Sequence, residues 1–116
     1  MYDKNNIFAK IIRKEISSKP IYEDEKVLFI NDLYPQAKIH ILGMPKIYVV
    51  DFNDFILKAS DEQVSYFFFK THEVIKDVGL ESKGFRMITN SGHYGGQEIP
   101  HFHIHIMGGE NLGEKK

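Results

Sequence analysis

The sequence predicts an α+β domain: a mostly antiparallel five-stranded sheet with two helices packed on it. Three observations lead there. Two segments repeat their apolar residues at helical spacing, five short runs alternate or concentrate apolar residues as strands do, and turn residues separate them. The order along the chain is helix, three strands, helix, two strands. The 116 residues suit one domain, 1–116, with no internal repeat, low-complexity tract or linker.

Each element has a local cause. Ile7, Phe8, Ile11 and Ile12 share one helical face, with Asn5 or Asn6 as the N-cap. IYE and VLFIN, separated by the charged turn Asp24-Glu25-Lys26, read as a hairpin. Tyr34-Pro35 breaks the pattern, and Lys38 to Met44 resumes it as a strand that ends at Pro45. Residues 46–60 carry no clear pattern. Ser60 followed by Gln63 is a capping-box signal. Val64, Phe67, Phe68, Thr71, Val74, Ile75 and Val78 then mark one face of a helix that Gly79 can end. FRMITN reads as a strand, SGHYGGQ as a turn-rich loop, and the run from His101 as the last strand.

Composition narrows the function. An apolar fraction of 42% with 27% charged residues is ordinary for a globular chain. The formal net charge of -1 provides no global field toward nucleic acid or an anionic membrane, so neither partner is expected. Cysteine is absent, which removes disulfides, thiolate zinc sites and a cysteine nucleophile. Lys10, Arg13, Lys14 and Glu15 interrupt the N-terminal apolar residues, so no signal peptide is read there and the expected location is cytoplasmic.

The chemistry concentrates in HFHIHIMGG, His101 to Gly109, which holds three of the six histidines. On a strand His101, His103 and His105 face one way, and Phe102, Ile104 and Ile106 face the core. At ~3.3 Å per residue the outer two imidazoles start roughly 13 Å apart. An adjacent pair can grip one metal, but all three cannot easily do so without a bend. Zinc would also want a ligand from elsewhere, and the spare His40, His72 and His93 sit in no recognised metal spacing. As core residues, three histidines on one face would need a partner for every ring. The remaining reading is acid–base and nucleophilic chemistry at phosphorus, for which imidazole is well suited near neutral pH. Gly95-Gly96-Gln97, just before the strand, can offer backbone N–H groups to a phosphate.

With its flanks, GGQEIPHFHIHIMGG strongly resembles the signature of the histidine-triad (HIT) superfamily. IFAKIIRKEI, IYEDEKVLFINDLYPQAKIHILGMPK and GFRMITNSGHYGGQ resemble, in order, successive blocks of its Hint branch, the histidine-triad nucleotide-binding proteins. The resemblance runs from about Ile7 to Gly109. It implies a homodimer whose sheet continues across both subunits. It also implies hydrolysis of a purine nucleoside 5'-monophosphate bonded to a leaving group, often an amine, with no metal or other cofactor.

Residue roles follow from the same resemblance. His103 is implied as the nucleophile that forms a nucleotidyl-histidine, its other nitrogen held by the His101 carbonyl. His105 would contact the phosphate and help protonate the leaving group, and His40 would pair with the triad. Asp32 is implied at the ribose hydroxyls, and Phe8, Ile11 and Ile30 around the base. Asn90 is implied at the phosphate or ribose, with Gly96, Gln97, Glu98 and Ile99 along the nucleotide. Glu98 stands where many eukaryotic members have serine, which suggests a bacterial type. Pro100 replaces a usual tyrosine, and Asn6 and Ala9 lie where some members carry paired cysteines. The alternatives are a dinucleoside polyphosphate hydrolase of the same superfamily, a nucleotide-binding adaptor, and a histidine metal site.

Overall fold

The structure, a computed structural model, describes residues 1–114; Lys115 and Lys116, the end of the expected domain and its tail, lie outside the described residues. The elements are α1 (Ile7–Ile12), β1 (Pro20–Glu23), β2 (Val27–Asn31), β3 (Ile39–Pro45), α2 (Phe52–Lys58), α3 (Asp61–Asp77), β4 (Arg86–Ile88) and β5 (Ile104–Gly108). One sheet runs in the order β1-β2-β3-β5-β4, with every neighbouring pair antiparallel. This is the expected α+β architecture. It has one more short helix, α2, in the stretch 46–60 that showed no periodicity.

Alternation along the strands divides the sheet's apolar residues between two faces. Val27, Phe29, Ile41, Phe102, Ile104 and Ile106 pack with Phe55 of α2 and Phe67, Val74 and Ile75 of α3. Leu28, Ile30, Leu42 and Met44 pack with Phe8 and Ile11 of α1 on the other face. The long helix therefore supports the sheet from behind, and α1 stands beside the histidine face. Gly43 lies opposite Phe29, whose ring would come within 2.4 Å of a Cβ at that position. A side chain there has no room in a packed interior.

Local chemistry accounts for the helix ends. The Asn6 side chain accepts from the Ala9 N–H and so caps α1. Ser60 and Gln63 complete the predicted capping box of α3, and Gly79 leaves that helix with φ +82°. In α2 the Asp51 side chain accepts from the Asp54 N–H while Asp54 accepts from the Val50 N–H. That carboxylate pair, spaced three apart, is a start signal for a helix too short to show periodicity. Among the described residues, no helix is long and apolar enough to cross a membrane.

Candidate active site

The histidine stretch does not enter the sheet where the sequence predicts. β5 begins at Ile104, and His101 to His103 form the bend leading into it. Two backbone bonds hold this bend, from the His101 N–H to the Ile99 carbonyl and from the Phe102 N–H to the Val49 carbonyl, both 2.9 Å.

Hydrogen bonds then fix which nitrogens carry protons. The His101 Nε2 lies 2.8 Å from the Pro45 carbonyl, which can only accept, so Nε2 is protonated. Its Nδ1 is left to accept from the Tyr2 hydroxyl at 2.5 Å. The ring is fully buried, and burial pushes its pKa down to about 4. For this one residue of the three the core-histidine reading describes the ring. What His101 presents to its neighbour is its carbonyl, which accepts from the His103 Nδ1–H at 2.7 Å. The Nε2 of His103 therefore keeps a lone pair. Burial also lowers the His103 pKa, so the ring stays neutral at physiological pH. Phe8 packs edge-on against it at 4.9 Å.

The second pair has the complementary arrangement. The Gln36 N–H donates to the His40 Nδ1 at 3.0 Å, so the His40 proton sits on Nε2. That Nε2–H points at the His105 Nδ1, 2.8 Å away, which leaves the His105 proton on its Nε2. Register brings the two together: His105 pairs with Leu42, making His40 its diagonal neighbour on the same face. Burial first, then neighbouring His103 and His40, hold the His105 pKa at about 4. The His103 and His105 rings lie 5.2 Å apart. One face thus carries a free imidazole lone pair beside an imidazole N–H.

The other predicted residues divide into three groups. Asp32 joins the histidines, with Oδ2 3.3 Å from the His40 Nε2 and Oδ1 accepting from the Tyr34 N–H. Phe8, Ile11 and Ile30 form the apolar cluster beside the triad, with Ile99 packed against it. The loop residues depart from expectation. The Gly96 N–H is taken by the His93 carbonyl and the Gln97 N–H by the Gly92 carbonyl, so neither is open to a phosphate as the loop stands. The turn closes on itself because a chain this tight satisfies its own donors first. The Gln97 side chain is likewise engaged, with Gly92, Val50 and Ile99. Asn90 Nδ2 donates to the Gly95 carbonyl, and Glu98 is exposed.

The family model of the HIT domain matches residues 13–112 of this chain. The chain belongs to the HIT family. An uncharacterized HIT-like protein of Rickettsia prowazekii is 46% identical, covering 97% of this chain and 93% of that protein. A purine nucleoside phosphoramidase of Escherichia coli K12 is 38% identical, covering 95% of this chain and 92% of that protein. Among solved structures, a histidine triad protein from Clostridium difficile superposes with a TM-score of 0.86 at 38% identity over 100% of both chains. A HIT family hydrolase from Legionella pneumophila gives 0.87 at 31% identity, covering 94% of this chain and 96% of that one.

Within this HIT protein, Asp32, His40 and His105 are also the group whose ligand atoms, all within 4.8 Å, could hold a metal ion. The spacing fits a proton better. Two imidazole nitrogens bound at ~2.0–2.1 Å to one tetrahedral ion lie about 3.3 Å apart, whereas His40 and His105 stand at 2.8 Å, a hydrogen-bond distance. Of the other spare histidines, His72 pairs with exposed Glu81 and His93 is exposed in the glycine loop, so neither joins the cluster. Sequence reasoning missed the groups that set the proton positions: Tyr2, the Gln36 N–H and the Pro45 carbonyl. It also missed Thr89, whose hydroxyl donates to the His103 carbonyl at 2.7 Å. None carries a local signal, because each acts through a contact made only on folding.

Proposed function

We propose that this HIT protein is a nucleotidyl hydrolase of the purine nucleoside phosphoramidase kind, releasing AMP or GMP from amine-linked and aminoacyl-linked nucleotides. The observation that carries the reading is the opposed proton states of two adjacent rings, a lone pair on His103 and an N–H on His105. Likeness to the E. coli phosphoramidase supports the substrate class.

The His103 Nε2 attacks phosphorus, the P–N bond breaks, and a nucleotidyl-histidine forms. The anionic phosphoryl group favours one added proton on the His40–His105 pair, and the Asp32 carboxylate steadies that charge. His105 Nε2 hands the proton to the departing amine, returning the pair to neutrality. Water then attacks the adduct, its proton passes to His105, and the nucleoside monophosphate leaves. Throughout, the His101 carbonyl holds the His103 Nδ1–H and supports the positive charge on the substituted ring. In this reading Asp32 also accepts from the ribose hydroxyls, and the cluster of Phe8, Ile11 and Ile30 with Ile99 forms the apolar wall for a base. The same reading takes the protein as a homodimer joined through the sheet edge at β4.

The test is AMP release from adenosine 5'-phosphoramidate, compared with diadenosine polyphosphates, by wild type and His103→Ala. Wild type should cleave the phosphoramidate, and the variant should lose roughly four orders of magnitude or more in kcat. Quenched mass spectrometry should place the nucleotide on His103. Preference for the polyphosphates would shift the reading to the dinucleotide hydrolase. Equal activity in the variant, or loss of wild-type activity on chelation, would overturn it.

A further inference from the structure

We propose that Tyr2 is a positioning residue for the reaction, holding the His101 ring from the side opposite β3 so that the His101 carbonyl stays fixed on His103. This rests on the reading of His103 as the nucleophile.

Tyr2 comes before the first helix, and its hydroxyl bonds a ring 99 positions along the chain. The segment that carries it is tied down for that contact. Asn6 Nδ2 donates to the Asp3 carbonyl at 2.7 Å, and the Asn5 N–H donates to Asp3 Oδ1. Arg13 Nη1 donates to the Lys4 carbonyl at 2.8 Å and to the Tyr48 hydroxyl at 3.2 Å. Tyr48 in turn stacks on Tyr2, with centroids 4.6 Å apart and planes inclined by 7°. The Tyr2 ring then meets His101 edge-on at 5.6 Å.

His101 is consequently gripped at both nitrogens, by a carbonyl of β3 and by a hydroxyl of the N-terminal segment. A buried imidazole held at both ends cannot rotate without breaking a bond, and removing the hydroxyl would leave an unpaired buried acceptor. The carbonyl that orients His103 belongs to the same residue, its carbon bonded to the Cα that carries the anchored ring. Small displacements of an orienting group are amplified in rate, because the attacking lone pair must be aligned with phosphorus.

Tyr2→Phe keeps the ring and its stack and deletes the hydroxyl, with its bond to His101 and its contact with the Asn6 side chain. Full-length protein with 15N-labelled histidine should show the His101 Nδ1 resonance shifting to that of an unbonded imine nitrogen. The His103 Nδ1–H signal should report a weakened bond. With adenosine 5'-phosphoramidate, kcat should fall about ten-fold, the effect of one hydrogen bond, with KM within two-fold of wild type. Tyr48→Phe, which keeps the stack and removes only the Arg13 contact, should stay within two-fold in kcat. The proposal is overturned if Tyr2→Phe leaves kcat unchanged, if its loss tracks the folded fraction while the His101 resonances stay put, or if Tyr48→Phe falls equally far. Should wild type release no AMP, the phosphoramidase reading fails and the resonances still decide. An unperturbed His103 Nδ1–H in Tyr2→Phe then overturns the role of Tyr2, and a weakened one upholds it.

Discussion

In the proposed mechanism, the division of labour between His103 and His105 comes from what sits behind each ring. A carbonyl behind His103 claims its Nδ1–H and frees Nε2 to attack; an N–H donor behind His105 claims its Nδ1 and leaves Nε2 protonated. The two residues are chemically identical and only their partners differ, which is how one side-chain type is proposed to serve as nucleophile and acid together. The assignment has a specific consequence. His105→Ala should lower kcat on an amine-linked nucleotide by about 10²–10⁴-fold, the usual contribution of a positioned acid. A nucleotide ester with an acidic phenol as leaving group needs no such proton in the first step, so the same variant should release the first equivalent of phenol nearly as fast as wild type does. Pre-steady-state release rates over a series of leaving groups would check this, and equal losses across the series would refute the acid role.

At the scale of elements, the sheet presents the site and the helices brace it. The diagonal placement of His40 and His105 follows from the β3–β5 register, and a slip of one residue would turn one of them to the opposite face. β4 lies at the edge of the sheet, with Phe85 and Met87 each more than 40% exposed beside it. An unpaired edge with apolar side chains invites a second strand. In the homodimer reading, Met87→Lys should convert the dimer to monomer in sedimentation experiments, and unchanged sedimentation would argue against this edge. Capping signals were legible in this protein wherever they lay next to a periodic run, as Ser60 and Gln63 do before α3. The Asp51–Asp54 pair of α2 gives no such legible signal in the sequence, because the helix behind it spans only seven residues.

For the whole molecule, neutral buried histidines tie stability to pH. His101 and His105 both have pKa values of about 4 in the folded protein, against 6.5 when free, so the unfolded chain binds more protons between those limits. Stability is therefore fully present above about pH 6.5 and falls as the pH drops toward 4. The fully buried His101 alone contributes roughly 3 kcal/mol to this loss. Asp24, held down at about 2 by bonds from Tyr66, Lys26, Tyr22 and Val27 that outweigh its desolvation, adds its loss only at lower pH, below the free carboxylate range. Urea midpoints measured from pH 8 to 4 should stay level and then decline through the histidine window. A flat profile would mean that His101 is not held neutral.

The sequence by itself determined the alternation of the strands, the buried face of α3 and the cap that starts it. These rest on periods of two and 3.6 residues, which operate within a few positions of the chain. Only the tertiary structure decided how the His101 ring is held and that His105 presents a proton. Those states rest on contacts between residues 99, 65 and 56 apart: Tyr2 with His101, His40 with His105, and His101 with Pro45. It also decided that the Gly96 and Gln97 N–H groups close their own turn. A hydrogen bond depends on where its partner lies in space, and no local pattern records that position.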